Sequence, residues 1–291
     1  MQKFIFKKRL KVKIFLVNLK MELDFCEKPN HYINFKNMLY HQELGSQGKV
    51  IVIIHGLFGS SDNWLTIGKV LAEKYKVYLI DQRNHGKSFH SSEWTYEAMA
   101  KDLHEFIESK NLQNPILLGH SMGGKTAMYY ACTYFPSKIE KLIVADIAPK
   151  SYPLHHQHIL EGLQAIDLQK LTSRKEAEEI LSRYVKEDAT RAFLLKNLYR
   201  NGEAWAWRIN LPIIAENIAN VGEGLHTNLT FDEPTLFVRG EKSDYILDED
   251  FELIRYYFPQ ARIETIADAG HWLHAEKPQE FLKVVSDFLE K

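Results

Sequence analysis

The sequence is short of cysteine and of long apolar runs. Its 291 residues include two cysteines, Cys26 and Cys132, which are too few for a disulfide framework. No apolar run approaches the roughly 18 residues that a helix needs to cross a bilayer, and the sequence shows no internal repeat. These absences exclude a disulfide-stapled scaffold, a helical membrane span and a repeat array. We therefore expect a globular protein in a reducing compartment, namely the cytoplasm.

Acidic residues outnumber basic ones once the first 20 residues are set aside. Residues 1–20 carry seven of the 37 lysines and arginines and no acidic residue, which leaves 30 basic against 38 acidic residues elsewhere. A body this acidic lacks the basic surface that nucleic-acid binding requires. We interpret segment 1–20 as a disordered extension, or as residues upstream of a true start at Met21. It has the charge of a transit peptide but not the serine content, so organelle targeting is the alternative to the cytoplasm.

Short β-rich runs alternate with helical patterns from about residue 32 onward. This alternation predicts an α/β fold, with a mostly parallel central sheet and helices on both faces. The predicted strands are Tyr32–Phe35, Leu39–Leu44, Val50–Ile54, Lys76–Ile80, Pro115–Leu118, Leu142–Ala145, Thr235–Val238 and Arg262–Ile266. Between residues 149 and 232 the pattern is helical, with no convincing strand. We predict an α/β core over 21–148 and 233–291, with a helical cap, 149–232, inserted in it.

A G-x-S-x-G motif, Gly119 to Gly123, stands between a predicted buried strand and a predicted helix. A sharp turn at this place projects the hydroxyl of Ser121 outward, and the glycines leave room for the turn and for a substrate. The amide of Met122 then lies at the helix N-terminus, where backbone donors and the helix dipole favour an oxyanion. The motif in this context predicts a nucleophilic serine.

The same stretch also satisfies the P-loop pattern G-x-x-x-x-G-K-[ST], through Gly119, Gly124, Lys125 and Thr126. A nucleotide hydrolase could use Asp146, at the end of the next strand, to bind magnesium. A P-loop normally follows the first strand of its domain, whereas this motif follows about four strands. We therefore favour the nucleophilic serine and keep the nucleotide hydrolase as an alternative.

Two further loops fit a nucleophilic serine and are unexplained by a P-loop. His55-Gly-Leu-Phe-Gly59 follows the buried strand Val50–Ile54, where a hydrolase draws the second donor of its oxyanion hole. Leu57 is positioned to supply that amide, and loss of one such donor costs about 3 kcal/mol in the transition state. Gly270-His271-Trp272 follows the last strand. His271 is therefore the predicted base that activates Ser121.

The acid that orients His271 has two candidates. Asp146 ends the strand Leu142–Ala145, and Asp244 follows the strand Thr235–Val238, so both loops leave the carboxyl edge of the sheet. Ser243 occupies the place, three residues after a glycine, where hydrolases commonly have the acid. An aspartate in this role accepts the imidazole N–H and holds the tautomer. The residues by themselves leave both assignments open.

Six segments, in order, resemble the YbfF/ABHD11-type esterases of the α/β-hydrolase superfamily. They are HGLFGSSDNW (55–64), DQRNHGKS (81–88), GHSMGGKTAM (119–128), ADIAP (145–149), WRINLP (207–212) and AGHWLHAEKP (269–278). The resemblance spans about residues 37–290 and implies a helical cap, no cofactor, and activity on short acyl esters and acyl-CoA-like thioesters. It also favours Asp146 as the acid with Ser243 as a supporting hydroxyl. The presence of Asp244 is a departure from the family pattern.

Four residues are candidates for substrate contact. They are Phe58 in the oxyanion loop, Trp207 and Tyr245 at the acyl pocket, and Arg83, which could bind a carboxylate or phosphate. The predicted partner is a small-molecule acyl ester or an acyl-CoA-like thioester. The alternative from another class is a catalytically silent binding protein on a hydrolase fold.

No metal site is predicted. The histidines at 155, 156 and 158 invite a metal hypothesis, but they lack a companion cysteine or carboxylate set at ligand spacing. His155 and His156 would also diverge on a helix. We interpret this cluster as a solvated or cap-lining face. His55 and His120 are interpreted as structural residues of their turns.

Overall fold

The computed structural model describes residues 38–134, 139–154 and 156–291. The basic segment 1–20, Cys26, the predicted strand Tyr32–Phe35 and His155 lie outside the described residues. The other seven predicted strands are all present, and their bounds differ from prediction by two residues at most. They are β1 (His41–Leu44), β2 (Val50–Ile54), β3 (Lys76–Ile80), β4 (Ile116–His120), β5 (Leu142–Ala145), β8 (Thr235–Gly240) and β9 (Ala261–Ile266).

These strands form one sheet in the order β1-β3-β2-β4-β5-β8-β9. Only β1 pairs antiparallel, with β3, and all other neighbouring pairs of this sheet are parallel. Parallel strands end at the same edge, so the loops after β2, β4, β5, β8 and β9 leave the carboxyl edge together. Ligands of open α/β sheets bind at this edge. The order of the strands thus brings distant loops of the sequence close together.

The central strands are buried on both faces, as a continuous β-branched run predicts. In β2, Val52 and Ile54 belong to one apolar cluster and Ile51 and Ile53 to another. The first cluster is covered by α2 (Tyr96–Ser109) and α3 (Met122–Thr133). The second is covered by α1 (Leu65–Leu71) and α11 (Pro278–Leu289). Helices on both faces of a mostly parallel sheet confirm the predicted fold class. Two further helices, α9 (Phe251–Tyr257) and α10 (Leu273–Glu276), follow β8 and β9.

The segment between β5 and β8 contains five helices and a hairpin. The helices are α4 (Gln157–Gln164), α5 (Arg174–Leu181), α6 (Asp188–Leu195), α7 (Leu211–Glu216) and α8 (Ile218–Gly222). The hairpin pairs β6 (Leu198–Asn201) with β7 (Ala204–Trp207), so the prediction of no strand here was wrong. Its strands have four residues each, and its turn depends on the positive φ of Gly202, 64°. Four residues of alternating alanine and tryptophan are too short a pattern to stand out from the helices around them.

Residues 160–218 of this segment share an apolar cluster with the loops at the carboxyl edge of the sheet. From the sheet side the cluster includes Leu57, Phe58, Trp94 and Met122. The segment therefore packs directly on the loops that carry the candidate site residues. Within the described residues, no helix is long and apolar enough to span a membrane.

Candidate active site

Ser121 stands on a strained turn between β4 and α3. Its backbone has φ 52° and ψ −121°, in a region that residues other than glycine avoid. A Cβ on Gly123 would lie 2.4 Å from the carbonyl oxygens of Ile54 and His55, so the turn can pack against β2 only with glycine there. This strain at a single serine matches the expectation of an outward-facing hydroxyl at the carboxyl edge.

His271 bridges Ser121 and Asp146. Its Nε2 lies 3.1 Å from Ser121 Oγ, and its Nδ1 lies 2.8 Å from Asp146 Oδ2. A carboxylate accepts a hydrogen bond, so the Nδ1 proton points to Asp146 and Nε2 is left to accept the serine proton. The three side chains come from the loops after β4, β5 and β9. The structure therefore brings the predicted nucleophile and base within hydrogen-bond reach.

Asp146 has the surroundings of a buried carboxylate that is held in place. It is fully buried and has φ 52°. Its Oδ1 accepts the N–H of Gly240 at 3.0 Å, and its Oδ2 accepts the hydroxyl of Ser243 in addition to His271. Asp244 is exposed, and no hydrogen bond joins it to His271 among the described contacts. Of the two candidate acids, Asp146 is the one that the structure brings to His271, and Ser243 accompanies it.

The loop His55–Gly59 lies beside Ser121. Leu57 and Met122 both line a cavity with Ser121, and Met122 is the first residue of α3, so its N–H has no acceptor within the helix. Phe58 is buried and has φ 58°, and both its backbone N–H and its backbone carbonyl are hydrogen-bonded to side chains. Its N–H donates to His85 Nε2, and its carbonyl accepts Asn197 Nδ2. The loop that carries Leu57 is thus tied both to the sheet side and to the 149–232 segment.

Two buried imidazoles hold this loop in their neutral form. Burial lowers the pKa of His55 to about 4 and that of His85 to about 3. Each donates from Nδ1 to a backbone carbonyl and accepts a backbone N–H at Nε2, from Gln82 and Phe58 respectively. The prediction for His55 as a structural residue agrees with these contacts. Asn197 was not singled out from the sequence, because its partner, Phe58, is 139 residues away.

Aromatic rings enclose the imidazole of His271. The ring of Tyr245 is stacked on it, with centroids 3.8 Å apart, and the ring of His120 lies 4.7 Å away. His120 Nε2 also donates to the carbonyl of His271 at 2.9 Å, and burial lowers the pKa of His120. The ring of His274 lies 4.6 Å from that of His120 and is stacked on Trp64, with centroids 4.1 Å apart. His274 was not singled out from the sequence, although it lies three residues after His271.

Two cavities meet at Ser121. The larger has a volume of about 280 Å³ and the smaller about 20 Å³, and both are lined by Leu57, Ser121 and Tyr245. His271 and Phe58 line the larger cavity, whereas Met122 lines the smaller one. Phe58 and Tyr245, two of the predicted substrate contacts, thus line the cavities at Ser121.

Two other candidates lie away from these cavities. Trp207 pairs with Leu198 in the hairpin, packs on the apolar cluster and lines neither cavity. Arg83 is 5% exposed and forms a bidentate ion pair with Asp102 of α2, through Nε and Nη2. Its guanidinium is committed to a buried carboxylate and is not available to a substrate. The structure does not bring these two residues to the site.

The P-loop residues do not form a phosphate cradle. Lys125 Nζ donates to the backbone carbonyls of Lys150 and Glu223, and the hydroxyl of Thr126 donates to Gln82. Asp146, the candidate magnesium ligand, is bonded to His271. These contacts disfavour the nucleotide hydrolase, as the position of the motif after several strands did.

No group of three metal-ligating side chains is found among residues 38–134, 139–154 and 156–291. His156 and His158 line the larger cavity, and His155 lies outside the described residues.

The comparisons with known proteins agree with this geometry. The sequence profile of the alpha/beta hydrolase fold family matches residues 49–278. The chain is 39% identical over 249 residues to the sn-1-specific diacylglycerol lipase ABHD11 of Danio rerio, covering 82% of this chain and 78% of that protein. It is 35% identical over 241 residues to esterase YbfF of Escherichia coli, covering 82% of this chain and 91% of that protein. A solved marine microorganism esterase has a TM-score of 0.84 and 45% identity, covering 86% of this chain and 99% of the other.

The chain belongs to the α/β-hydrolase family. Within that family it is similar to proteins named as esterases and lipases, over most of its length and most of theirs. The resemblance to the YbfF/ABHD11-type esterases that six sequence segments predicted is confirmed.

Proposed function

We propose that the protein is a serine hydrolase that cleaves carboxylic esters through an acyl-enzyme on Ser121. The observation that carries the proposal is the chain of hydrogen bonds from Ser121 Oγ through the His271 imidazole to the buried carboxylate of Asp146. Esterase relatives over most of the chain support ester cleavage as the reaction. Asp146 is the proposed acid, Ser243 its supporting hydroxyl, and Asp244 has no proposed role.

The proposed reaction has two acyl transfers. Ser121 Oγ attacks the ester carbonyl carbon while His271 Nε2 takes the serine proton, and Asp146 stabilises the imidazolium. The amides of Leu57 and Met122 donate to the oxyanion. His271 then gives its proton to the leaving alcohol oxygen, which departs. Water repeats the sequence on the acyl-enzyme, releasing the carboxylic acid and restoring the serine. No step calls for a cofactor.

The same acyl-enzyme chemistry accepts a thioester, whose thiolate is a better leaving group than an alkoxide. Acyl-CoA-like thioesters are therefore a second proposed substrate class. Hydrolysis of acetyl-CoA, compared with p-nitrophenyl acetate at matched concentrations, tests this extension. A rate for acetyl-CoA that equals that of the Ser121→Ala variant would exclude it.

We also propose that the 149–232 segment acts as a cap that shapes the substrate cavities. Several of its side chains line the larger cavity, among them Ile159, Phe193 and Leu194. The cytoplasm is the proposed location, with an organelle as the alternative if residues 1–20 act as a transit segment. Fluorescent fusions with and without residues 1–20 distinguish the two locations.

The first experiment is hydrolysis of p-nitrophenyl acetate by wild type and Ser121→Ala, with fluorophosphonate labelling of both. We expect wild type to hydrolyse and label, and the variant to do neither. Asp244→Asn serves as the matched control, because it alters an exposed side chain next to the site and leaves the chain of hydrogen bonds intact. A folded wild type that neither hydrolyses nor labels would favour the silent binding protein instead.

A further inference from the structure

The two cavities at Ser121 differ in the catalytic residues that line them. In the tetrahedral intermediate that carbon carries four groups: Ser121 Oγ, the oxyanion, the leaving oxygen and the acyl substituent. The oxyanion points to the amides, and the leaving oxygen must point to His271, because His271 protonates it. The acyl substituent takes the remaining direction, away from His271. His271 lines the larger cavity and is absent from the lining of the smaller one.

From this we infer that the smaller cavity holds the acyl group and the larger cavity the alcohol, so that the preferred substrates are acetyl or propionyl esters of larger, largely apolar alcohols. This inference rests on the proposed function and narrows it. It assigns a small acyl group and a larger alcohol to the two sides of the ester bond.

The size of the smaller cavity limits the acyl group. Its volume of about 20 Å³ compares with the roughly 10–15 Å³ of such space that one water molecule needs. A methyl or ethyl group is of that size, whereas the propyl group of a butyrate would press against the walls. The lining beyond Ser121 is mostly apolar, with Met122, Ile147 and Val221 among its members. The cavity thus fits a short alkyl group.

Hydrogen bonds hold the walls of the smaller cavity in place. Tyr96 donates its hydroxyl to the carbonyl of Val221 at 2.9 Å. The N–H of Tyr152 donates to the carbonyl of Gly222 at 2.7 Å, and its hydroxyl donates to the carbonyl of Tyr245. These bonds join the sheet side, the 149–232 segment and the loop after β8 around one small space.

Lys125 lies close to two tyrosines that line the smaller cavity. Its Nζ lies 4.7 Å from the ring centroid of Tyr152 and 5.6 Å from that of Tyr96, two of the three tyrosines that line the cavity. It also donates to the carbonyl of Lys150, at the start of the 149–232 segment, and to that of Glu223, which follows α8 in the same segment. The lysine that completed the P-loop pattern therefore braces the acyl wall, which gives it a role in the proposed hydrolase.

The larger cavity is suited to the alcohol. Its volume is about 280 Å³, and apolar side chains from two helices of the segment and from the loop after β9 line it, including Ile159, Phe193 and Trp272. Phe193 and Trp272 are in ring contact, with centroids 5.7 Å apart. This space takes an alkyl or aryl alcohol of about six carbons or more.

Two ester series separate the halves of the substrate. For p-nitrophenyl acetate, propionate, butyrate and octanoate, we expect kcat/KM to fall about tenfold between propionate and butyrate, and further at octanoate. For ethyl, butyl and hexyl acetate, followed by acid release in a pH-stat, we expect kcat/KM to rise with alcohol length. Equal or faster cleavage of octanoate than of acetate would overturn the assignment.

Matched variants test the walls. Leu154 lines the smaller cavity and is 55% exposed, so Leu154→Ala opens that cavity without loss of core packing. We expect it to raise the butyrate-to-acetate ratio of kcat/KM about tenfold. Phe193→Ala, in the larger cavity, is expected to leave that ratio unchanged and to lower the hexyl-to-ethyl ratio about fivefold. An exchange of these two effects would reverse the assignment of the cavities.

The outcome also distinguishes this inference from the proposed function. If Ser121 is labelled by fluorophosphonate and octanoate is the preferred acyl group, the hydrolase stands and the acyl assignment fails. If no ester in either series is hydrolysed and Ser121 is not labelled, the proposed function fails and the acyl assignment fails with it.

Discussion

The imidazole of His271 is stacked face to face on the ring of Tyr245, with centroids 3.8 Å apart and planes 17° from parallel. The ring of His120 lies 4.7 Å from the same imidazole, tilted by 42°. The backbone of Tyr245 is fixed at both ends, because its N–H donates to Ser243 Oγ and its carbonyl accepts the hydroxyl of Tyr152. The residue that supports Asp146 therefore also holds the ring that fixes the plane of His271.

Loss of the stacked ring should slow the chemistry. We expect Tyr245→Leu to lower kcat for p-nitrophenyl acetate about 10- to 100-fold, since the imidazole then rotates away from the line between Ser121 and Asp146. Tyr245→Phe keeps the ring and should keep most of kcat. Steady-state kinetics and the rate of fluorophosphonate labelling measure both variants. Equal losses in the two variants would show that the hydroxyl, not the ring, matters.

The choice between Asp146 and Asp244 is tested by neutralising each one. Asp146→Asn preserves shape but favours the wrong imidazole tautomer, so we expect kcat to fall by about 10³-fold or more. Asp244→Asn changes an exposed carboxylate and should alter kcat by less than about threefold. Circular dichroism checks that both variants fold. A larger loss in Asp244→Asn than in Asp146→Asn would return the role of acid to Asp244.

The sheet was predictable because each of its strands is a short run of residues with a recognisable local pattern of hydrophobicity. A continuous β-branched run such as Val50–Ile54 admits little else than a strand buried on both faces. The hairpin of β6 and β7 was missed because it has four residues on each side of Gly202 and lies among helices. Local patterns of that length do not outweigh their neighbours.

Motif context predicted residues that share one loop, and it was weaker for residues that meet across the fold. Ser121 and Met122 are adjacent, and their turn follows from the flanking strand and helix. Whether Asp146 or Asp244 is the acid is decided by which of two neighbouring loops reaches His271. That reach is set by backbone geometry, such as the positive φ of Asp146. A substrate-binding role was considered for Arg83 because its ion-pair partner, Asp102, lies on another element of the fold and is not evident from the local sequence.

Arg83 should matter for stability and not for catalysis. Both side chains of the Arg83–Asp102 pair are 6% exposed, so Arg83→Met leaves a buried carboxylate without its partner. We expect a loss of about 3–5 kcal/mol in the free energy of unfolding, with kcat/KM of the folded enzyme unchanged. The double variant Arg83→Met, Asp102→Leu should recover most of the loss. Urea denaturation gives the energies, and a fall in kcat/KM of the folded single variant would restore a substrate role for Arg83.

Buried neutral histidines should make the fold sensitive to acid. Burial lowers the pKa of His55 to about 4 and those of His85 and His274 to about 3, whereas the same groups titrate near 6.5 in the unfolded chain. Between these values the unfolded state binds more protons, so stability falls as the pH falls below about 6.5. Each histidine contributes a slope of up to about 1.4 kcal/mol per pH unit. The free energy of unfolding at pH 5 should therefore lie several kcal/mol below its value at pH 7.

One variant isolates a single proton of this effect. His274 is stacked on Trp64 with planes 7° apart, and its Nδ1 is buried without a hydrogen-bond partner in the described structure. His274→Phe keeps the stacking and removes the titrating group, so the slope of unfolding free energy between pH 5 and 6 should decrease by about 1.4 kcal/mol per pH unit. Urea denaturation at four pH values measures both slopes. A slope in His274→Phe that equals the wild-type slope would mean that His274 is charged in the folded protein or does not titrate in this range. Its neutral, stacked state, and with it the acid sensitivity assigned to His274, would then be wrong.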